Sequence, residues 1–207
     1  MDISKIRVTS SEIGGGFGGK TVVYLEPLAL ALSARAGQPV KMIMTRDEIM
    51  RASGPTSGAN MIIKIGATKE GKLTSGKALL NYQAGAFAGS PVGPGTMCAF
   101  APYDMENVQA IGYDVVTNRP KVAAYRAPGA PISEYAVESV IDEIALEIGM
   151  DPVELRLKNA AKEGTRAAYG PKFGPVGLVE TLEATRDSDH YKKPLGKYQG
   201  RGVASGF

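Results

Sequence analysis

The chain has 207 residues, of which 43% are hydrophobic and 22% charged, a composition typical of a globular protein with a buried core. The net charge of +3 does not indicate a nucleic-acid-binding surface, and the sequence has no apolar run long enough to span a membrane. A single cysteine, Cys98, and a single histidine, His190, exclude an internal disulfide framework, a multi-thiolate metal site and a polyhistidine zinc site.

Residues 1–130 are predicted to be rich in strands. The predicted elements, in chain order, are a strand at 3–9, a helix at 21–36, a strand at 39–45, hairpin strands at 60–68 and 72–83, and strands at 108–117 and 121–126. Alternation of apolar and polar residues marks the first strand, and apolar residues at helical spacing mark the helix. Pro27 is expected to perturb the first half of that helix. The Gly- and Pro-rich stretch 85–102 is predicted to be a long loop.

Residues 131–190 are predicted to be rich in helices. Ser133 is the expected N-cap of a helix whose apolar stripe repeats about every 3.6 residues and ends at Gly149. Asp151 and Pro152 are typical of the start of a second helix, and a third is predicted at 177–187. A further strand is predicted to start within 198–207. Strands followed by helices indicate the α+β class, and we expect a mixed sheet with helices packed on it.

Residues 14–20 read Gly-Gly-Gly-Phe-Gly-Gly-Lys, a run that contributes almost no side chain to a core. Such a loop brings backbone N–H groups close to a bound group, usually an anion or a large polar cofactor. One interpretation is nucleotide binding, because residues 14–21, ending in Gly19, Lys20 and Thr21, match the P-loop pattern. The context is weaker, since polar residues interrupt the preceding strand and no predicted strand ends in a magnesium-binding carboxylate.

Other blocks of the sequence favour a second interpretation. These blocks are 14–20 with Glu26, 38–41 with 45–48, 124–129, 142–145 with 149–156, and 200–204. In order and approximate spacing they resemble the molybdenum-cofactor subunit of the xanthine dehydrogenase and aldehyde oxidase family, over nearly the whole chain. The resemblance implies that residues 1–207 are part of a two-part molybdopterin-binding domain, and therefore a fragment of a longer enzyme.

The resemblance also implies which residues contact the cofactor. Gly16, Phe17, Gly18 and Gly19 are expected to approach molybdopterin, as such or as a dinucleotide, through their backbone, and Arg126 lies in a second cofactor-lining segment. Iron–sulfur and FAD modules are expected in partner subunits or domains, beside the rest of the molybdopterin subunit. The full-length parent would be an oxidoreductase that hydroxylates an aldehyde or an aromatic heterocycle with water-derived oxygen.

Two residues are expected to face the substrate. Thr21 stands where family members that oxidise purines carry Glu, and Phe87 resembles an aromatic residue at the border of the active site. In addition, the sequence has no Arg between Arg51 and Arg119, where such members carry an Arg that clamps the purine. These differences favour a less polar substrate than xanthine.

The remaining expectations concern what the chain lacks. In the family the catalytic general base lies near the far C-terminus of the subunit, so it is expected outside this chain, and the fragment alone is expected to be inactive. No metal ligand, nucleic-acid partner or membrane partner is expected, and the protein is predicted to be cytoplasmic. Cys98 is predicted to be buried, His190 to be exposed, and Asp142 and Glu143 to lie on a solvated helix face. A P-loop nucleotide-binding protein and a non-catalytic assembly domain remain as alternatives.

Overall fold

The fold is built around a three-stranded mixed sheet, seen in a computed structural model that describes residues 2–54 and 56–207. Strand β1 (Ala59–Ala67) pairs antiparallel with β2 (Leu73–Gly85), so that Ala59 lies opposite Tyr82. Strand β3 (Asn107–Val116) runs parallel to β2. The predicted hairpin, the strand predicted at 108–117 and the mixed sheet are therefore confirmed.

Along the chain, helices lie before the sheet strands, between β2 and β3, and after β3. Their bounds are α1 (Glu26–Ala36), α2 (Arg46–Ala52), α3 (Val92–Cys98), α4 (Ala130–Ile148), α5 (Pro152–Asn159), α6 (Leu178–Asp187) and α7 (Asp189–Lys192). None of the helices within residues 2–54 and 56–207 is long and apolar enough to cross a membrane. The three predicted helices of the second half correspond to α4, α5 and α6, and these are confirmed.

The hydrophobic core lies between the sheet and α4. Alternate residues of β2, such as Leu80 and Tyr82, point into this core, where they meet the apolar stripe of α4 that includes Val137 and Ile141. All four side chains are buried. Because α4 is anchored along its length, its N-terminal end holds a fixed position relative to the sheet.

Helix starts differ from the sequence prediction in two places. The first helix begins at Glu26 and not near residue 21, because Pro27 fits the first turn, where a missing N–H leaves no helical hydrogen bond unmade. Ser133 is not an N-cap: it lies buried inside α4, and its hydroxyl donates to the carbonyl of Ala130. The N-cap position of α4 is Gly129.

Four predicted strands are wrong. Residues 3–9 contain a single 3-10 turn, Ile3–Lys5, and residues 39–45, 121–126 and 198–207 lack the paired ladders that define a strand. Alternating or apolar residues indicate an extended chain, but a strand also needs a neighbouring strand. The predicted loop 85–102 contains α3, and α2 was not predicted.

Helix α2 begins with a capping box that could have been found in the sequence. The Thr45 side chain accepts a hydrogen bond from the backbone N–H of Glu48, and the Glu48 carboxylate accepts one from the N–H of Thr45. This Thr-x-x-Glu spacing is a recognised helix-start signal. The apolar residues just before this signal favoured a strand at 39–45, and the helix start was therefore not predicted.

Candidate functional site

The glycine loop at residues 14–20 packs directly against the segment 124–129. Gly18 has a φ of +81°, and a Cβ placed on it would lie 1.6 Å from the carbonyl oxygen of Ala124 and 3.1 Å from the amide nitrogen of Tyr125. Only a residue without a side chain allows two backbones to approach so closely. The structure therefore joins two segments, a hundred residues apart in sequence, that were separately predicted to face one cofactor.

The amides of the loop divide into two groups. The N–H of Gly19 donates to the carbonyl of Gly16 at 2.8 Å, and that of Thr21 donates to the carbonyl of Gly18 at 3.2 Å. Within the described part of the chain, the N–H groups of residues 14–18 and of Lys20 donate no hydrogen bond. A run of successive unbonded donors suits an electron-rich, acceptor-bearing ligand.

The same geometry does not support the P-loop interpretation. A P-loop leads straight into a helix and offers its Ser or Thr hydroxyl to magnesium. Here α1 begins only at Glu26, and the Thr21 hydroxyl donates to the Gly18 carbonyl at 2.7 Å. The predicted preceding strand is also not formed.

Both segments carry unusual backbone strain. Phe17 has a φ of 49° and Ala127 a φ of 51°, and these are the only positive-φ residues other than glycine among the described residues. A left-handed conformation costs an L-residue with a side chain roughly 1–2 kcal/mol. Strain of this kind clusters at functional sites, and here one strained residue lies in each of the two facing segments.

The glycine loop also presents an aromatic ring next to a tyrosine of the facing segment. The rings of Phe17 and Tyr125 are near-parallel, with centroids 6.5 Å apart and planes inclined by 24°. Both side chains are exposed, Phe17 at 78% and Tyr125 at 51%. A Cβ on Gly15 would lie 2.8 Å from Cε2 of Phe17, so the phenyl ring lies over the bare backbone of Gly15.

The chain before the second segment is held in place by further bare backbones. A Cβ on Gly54 would lie 2.0 Å from the carbonyl oxygen of Lys121, and one on Gly85 would lie 2.1 Å from that of Pro120. The N–H of Gly54 donates to the hydroxyl of Tyr24 at 2.5 Å. The segment 120–124 is thus packed closely between the backbones of Gly54 and Gly85, although it forms no strand.

The turn from the second segment into α4 is tied to the hydrophobic core. Gly129 has a φ of +90°, and a Cβ on it would lie 2.1 Å from the carbonyl oxygen of Pro91. The buried hydroxyl of Tyr82 on β2 donates to the carbonyl of Gly129 at 3.0 Å. Burial raises the pKa of Tyr82 to about 12, so this hydroxyl stays protonated and able to donate. The sheet therefore fixes where the turn lies.

A cleft of about 430 Å³ opens beside the glycine loop. Its walls include the backbone of Gly16, the Lys20 side chain and the apolar side chains of Leu25, Ile43 and Ile49. Concave, mainly apolar surfaces with a few polar groups are where small molecules usually bind. The loop therefore borders both the facing segment 124–129 and a cleft of ligand size.

The other predicted site residues lie at the surface around the loop. Arg126 is exposed and makes no hydrogen bond or ion pair within the described residues, so its charge is free to meet an anionic group. Lys20 and Thr21 are exposed, and the exposed Phe87 lies two residues after Gly85, which packs on residue 120. The roles predicted for Thr21 and Phe87 remain predictions.

Predictions for four side chains outside the loop have mixed outcomes. His190 and Glu143 are exposed, as predicted. Cys98 is only half-buried, although burial still raises the pKa of its thiol. Asp142 is not simply solvated, because its carboxylate lies 2.8 Å from Nη1 of the buried Arg156.

Arg156 belongs to a buried polar network that sequence reasoning missed. Its Nε donates to a carboxylate oxygen of Glu138 at 2.8 Å, and the hydroxyl of Tyr103 and the N–H of Ser205 also donate to that carboxylate. Burial, followed by the charge of Glu138, raises the pKa of Tyr103 well above its ordinary value. The sequence did carry a signal for this network: two carboxylates four residues apart on one helix, Glu138 and Asp142, are followed by an Arg on the next helix. This network joins α4, α5 and the C-terminal segment.

Comparison with known proteins places the chain in a family. Residues 1–160 match the molybdopterin cofactor-binding domain family, so the chain belongs to it. It is 33% identical over 188 residues to the nicotinate dehydrogenase large molybdopterin subunit of Eubacterium barkeri, covering 89% of this chain and 44% of that protein. It is 32% identical over 195 residues to a probable xanthine dehydrogenase subunit of Bacillus subtilis (strain 168), covering 91% of this chain and 26% of that protein.

A solved structure shows the same fold. The aldehyde oxidoreductase from Desulfovibrio gigas superposes with a TM-score of 0.76 at 28% identity, over 84% of this chain and 20% of that chain. The chain therefore spans less than half the length of the relatives that it matches. The predicted family, the α+β fold and molybdopterin as the cofactor of this domain are confirmed, and these relatives are oxidoreductases.

Proposed function

We propose that this chain forms one part of the cofactor site of a molybdenum hydroxylase, an enzyme that inserts a water-derived oxygen into a C–H bond of an aldehyde or an aromatic heterocycle. The observation that carries the proposal is the contact between the glycine loop and residues 124–129. The loop that makes this contact carries unbonded amides at residues 14–18, and the exposed cation of Arg126 lies in the facing segment.

The residues of this chain suit molybdopterin for physical reasons. The free N–H groups supply donors for an acceptor-rich cofactor, and the bare backbone at Gly18 removes the side chains that would keep it at a distance. We infer that the exposed cation of Arg126 binds a phosphate oxygen of the cofactor through charge-assisted hydrogen bonds. When bound, the cofactor supplies the oxidation chemistry, which side chains alone cannot perform.

The rest of the catalytic apparatus is proposed to lie elsewhere in the parent enzyme. The chain spans 44% of the nicotinate dehydrogenase subunit and 26% of the xanthine dehydrogenase subunit, which leaves most of each protein outside the matched region. We infer that the general base lies in that remainder, and that iron–sulfur and flavin modules accept the electrons. The isolated chain is accordingly expected to be inactive, and the parent enzyme to be cytoplasmic.

The substrate is proposed to be less polar than a purine. The names of the relatives include nicotinate, xanthine and aldehydes, so they support the class of reaction without choosing among these substrates. Thr21 replaces the carboxylate of purine-oxidising members, and its hydroxyl already donates to Gly18. A purine buried here would leave polar groups unpaired, at about 1–3 kcal/mol for each group.

Metal analysis and steady-state assays of the parent enzyme test the proposal. We expect molybdenum in the purified enzyme and a higher kcat/KM for an aromatic aldehyde than for xanthine. A preparation that lacks molybdenum, even when expressed with cofactor biosynthesis intact, would contradict the proposed function. A higher kcat/KM for xanthine would instead overturn only the inference from Thr21. Neither the P-loop interpretation nor the assembly interpretation has support in the structure or in the comparisons.

A further inference from the structure

We propose that Asp114 and Lys121 are positioning residues that clamp one loop of the chain and so set the conformation of the proposed cofactor segment. The loop is 86–91, which connects β2 to α3 and is called the anchor loop below, and the segment is 121–129. The proposal rests on the proposed function and adds how the shape of the site is fixed. The contacts that carry it are made inside the chain, so they do not depend on which parts of the parent enzyme cover this surface.

The anchor loop is held at Gly89 and Ser90 by two oppositely charged side chains. Both oxygens of the Asp114 carboxylate accept backbone hydrogen bonds, Oδ2 from the N–H of Gly89 at 2.6 Å and Oδ1 from the N–H of Ser90 at 2.8 Å. The ammonium group of Lys121 donates to the carbonyl of Gly89 at 2.7 Å. Hydrogen bonds to charged groups are the stronger kind, and here they fix both peptide groups that flank the Cα of Gly89.

The same loop meets both ends of the segment 121–129. Lys121, at the start of the segment, holds Gly89 through its side chain. At the end of the segment, the bare backbone of Gly129 lies against the carbonyl of Pro91, where a Cβ would come within 2.1 Å of the oxygen. A shift of the anchor loop would therefore displace both ends of the segment.

The features of the proposed site lie between these two ends. The carbonyl of Ala124 meets the backbone of Gly18, and Ala127 has a φ of 51°. A left-handed conformation at an alanine is unfavourable by itself and persists only where the surrounding structure enforces it. Two fixed ends supply such a constraint. The clamp thus forms the segment before the cofactor binds, which reduces the conformational entropy lost on binding.

NMR of the chain without cofactor tests the clamp by itself. Lys121→Met removes the cation from a side chain of similar length, and Asp114→Ala removes both acceptor oxygens. In both variants we expect the ¹³C shifts of Ala127 to move away from values typical of left-handed backbone, while those of the core residue Leu80 stay unchanged. Lys121→Arg keeps a cationic donor and should keep the Ala127 shifts. Unchanged Ala127 shifts in Lys121→Met and Asp114→Ala would overturn the proposal.

The molybdenum content of the purified parent enzyme measures the effect of the clamp on the site. We expect Lys121→Met and Asp114→Ala each to lower it roughly two- to tenfold, the range for the loss of a hydrogen bond. The sign for Asp114 separates the clamp from a direct effect of charge, because removing a carboxylate makes the surface more attractive to an anionic cofactor. Equal or higher molybdenum content in Asp114→Ala would therefore overturn the clamp.

Lys69 provides a matched control for the loss of a positive charge. It lies in the hairpin turn before β2, at the other end of that strand from Gly85. Lys69→Met should change neither the Ala127 shifts nor the molybdenum content. A parent enzyme that lacks molybdenum before any substitution would contradict the proposed function alone, because the NMR comparison of the clamp variants does not involve the cofactor.

Discussion

Replacing Gly18 with alanine, a change of one methyl group, should disrupt the proposed cofactor site. The new Cβ would lie 1.6 Å from the carbonyl oxygen of Ala124, which is about 1.8 Å short of ordinary contact, and neither atom belongs to a flexible side chain that could rotate away. The loop must therefore move away from residues 124–129. The φ of +81° adds roughly 1–2 kcal/mol of strain for a residue with a side chain. We expect Gly18→Ala to lower the molybdenum content of the purified parent enzyme at least about tenfold, since 1.4 kcal/mol already corresponds to a factor of ten in binding.

The control for this variant comes from the same loop. A Cβ on Gly14 would meet nothing within 4 Å, and its φ lies outside the left-handed region. Gly14→Ala should therefore retain both molybdenum and activity, although it too removes a glycine from the run. If Gly18→Ala kept the metal content of Gly14→Ala, the close approach to Ala124 would not matter for cofactor binding, and our account of the site would be refuted.

Two further predictions concern stability and pH. Arg156→Met leaves the buried carboxylate of Glu138 without its cation, so the free energy of unfolding measured in urea should fall by about 3–5 kcal/mol. Adding Glu138→Leu to this variant should recover part of that free energy. If the losses of the two single variants simply add in the double variant, the pairing is contradicted. Slight burial disfavours the charged form of Asp114, but hydrogen bonds from Ser90 and Gly89 outweigh it and hold the pKa of this carboxyl below its ordinary 3.8. The stability from this contact is therefore present above pH 3.8 and lost as pH falls through the folded pKa. In NMR spectra the amide signals of Gly89 and Ser90 should titrate with a midpoint below 3.8 and lose that step in Asp114→Asn, whereas a midpoint above 3.8 would contradict the assignment.

The sequence by itself determined the elements whose signals are local. The hairpin of β1 and β2 follows from alternating residues around a Gly-containing turn, and α4 follows from its apolar period and from Gly149 at its end. Asp151 caps α5 as its residue type predicts, by accepting hydrogen bonds from the N–H groups of Val153 and Glu154. The sequence also predicted a cofactor loop at residues 14–20, because glycines in such number serve close backbone approach.

Only the tertiary structure decided which segments meet. Residues 39–45 and 121–126 are extended, but whether an extended chain is a strand depends on partners that lie far away in sequence. The contact of Gly18 with Ala124 and the burial of Arg156 against Glu138 likewise join parts of the chain through packing. Left-handed backbone at Phe17 and Ala127 has no signal in residue type, since both residues avoid it and adopt it here only within the surrounding structure. Local patterns specify the elements, whereas long-range packing brings the two segments of the proposed site together and fixes their geometry.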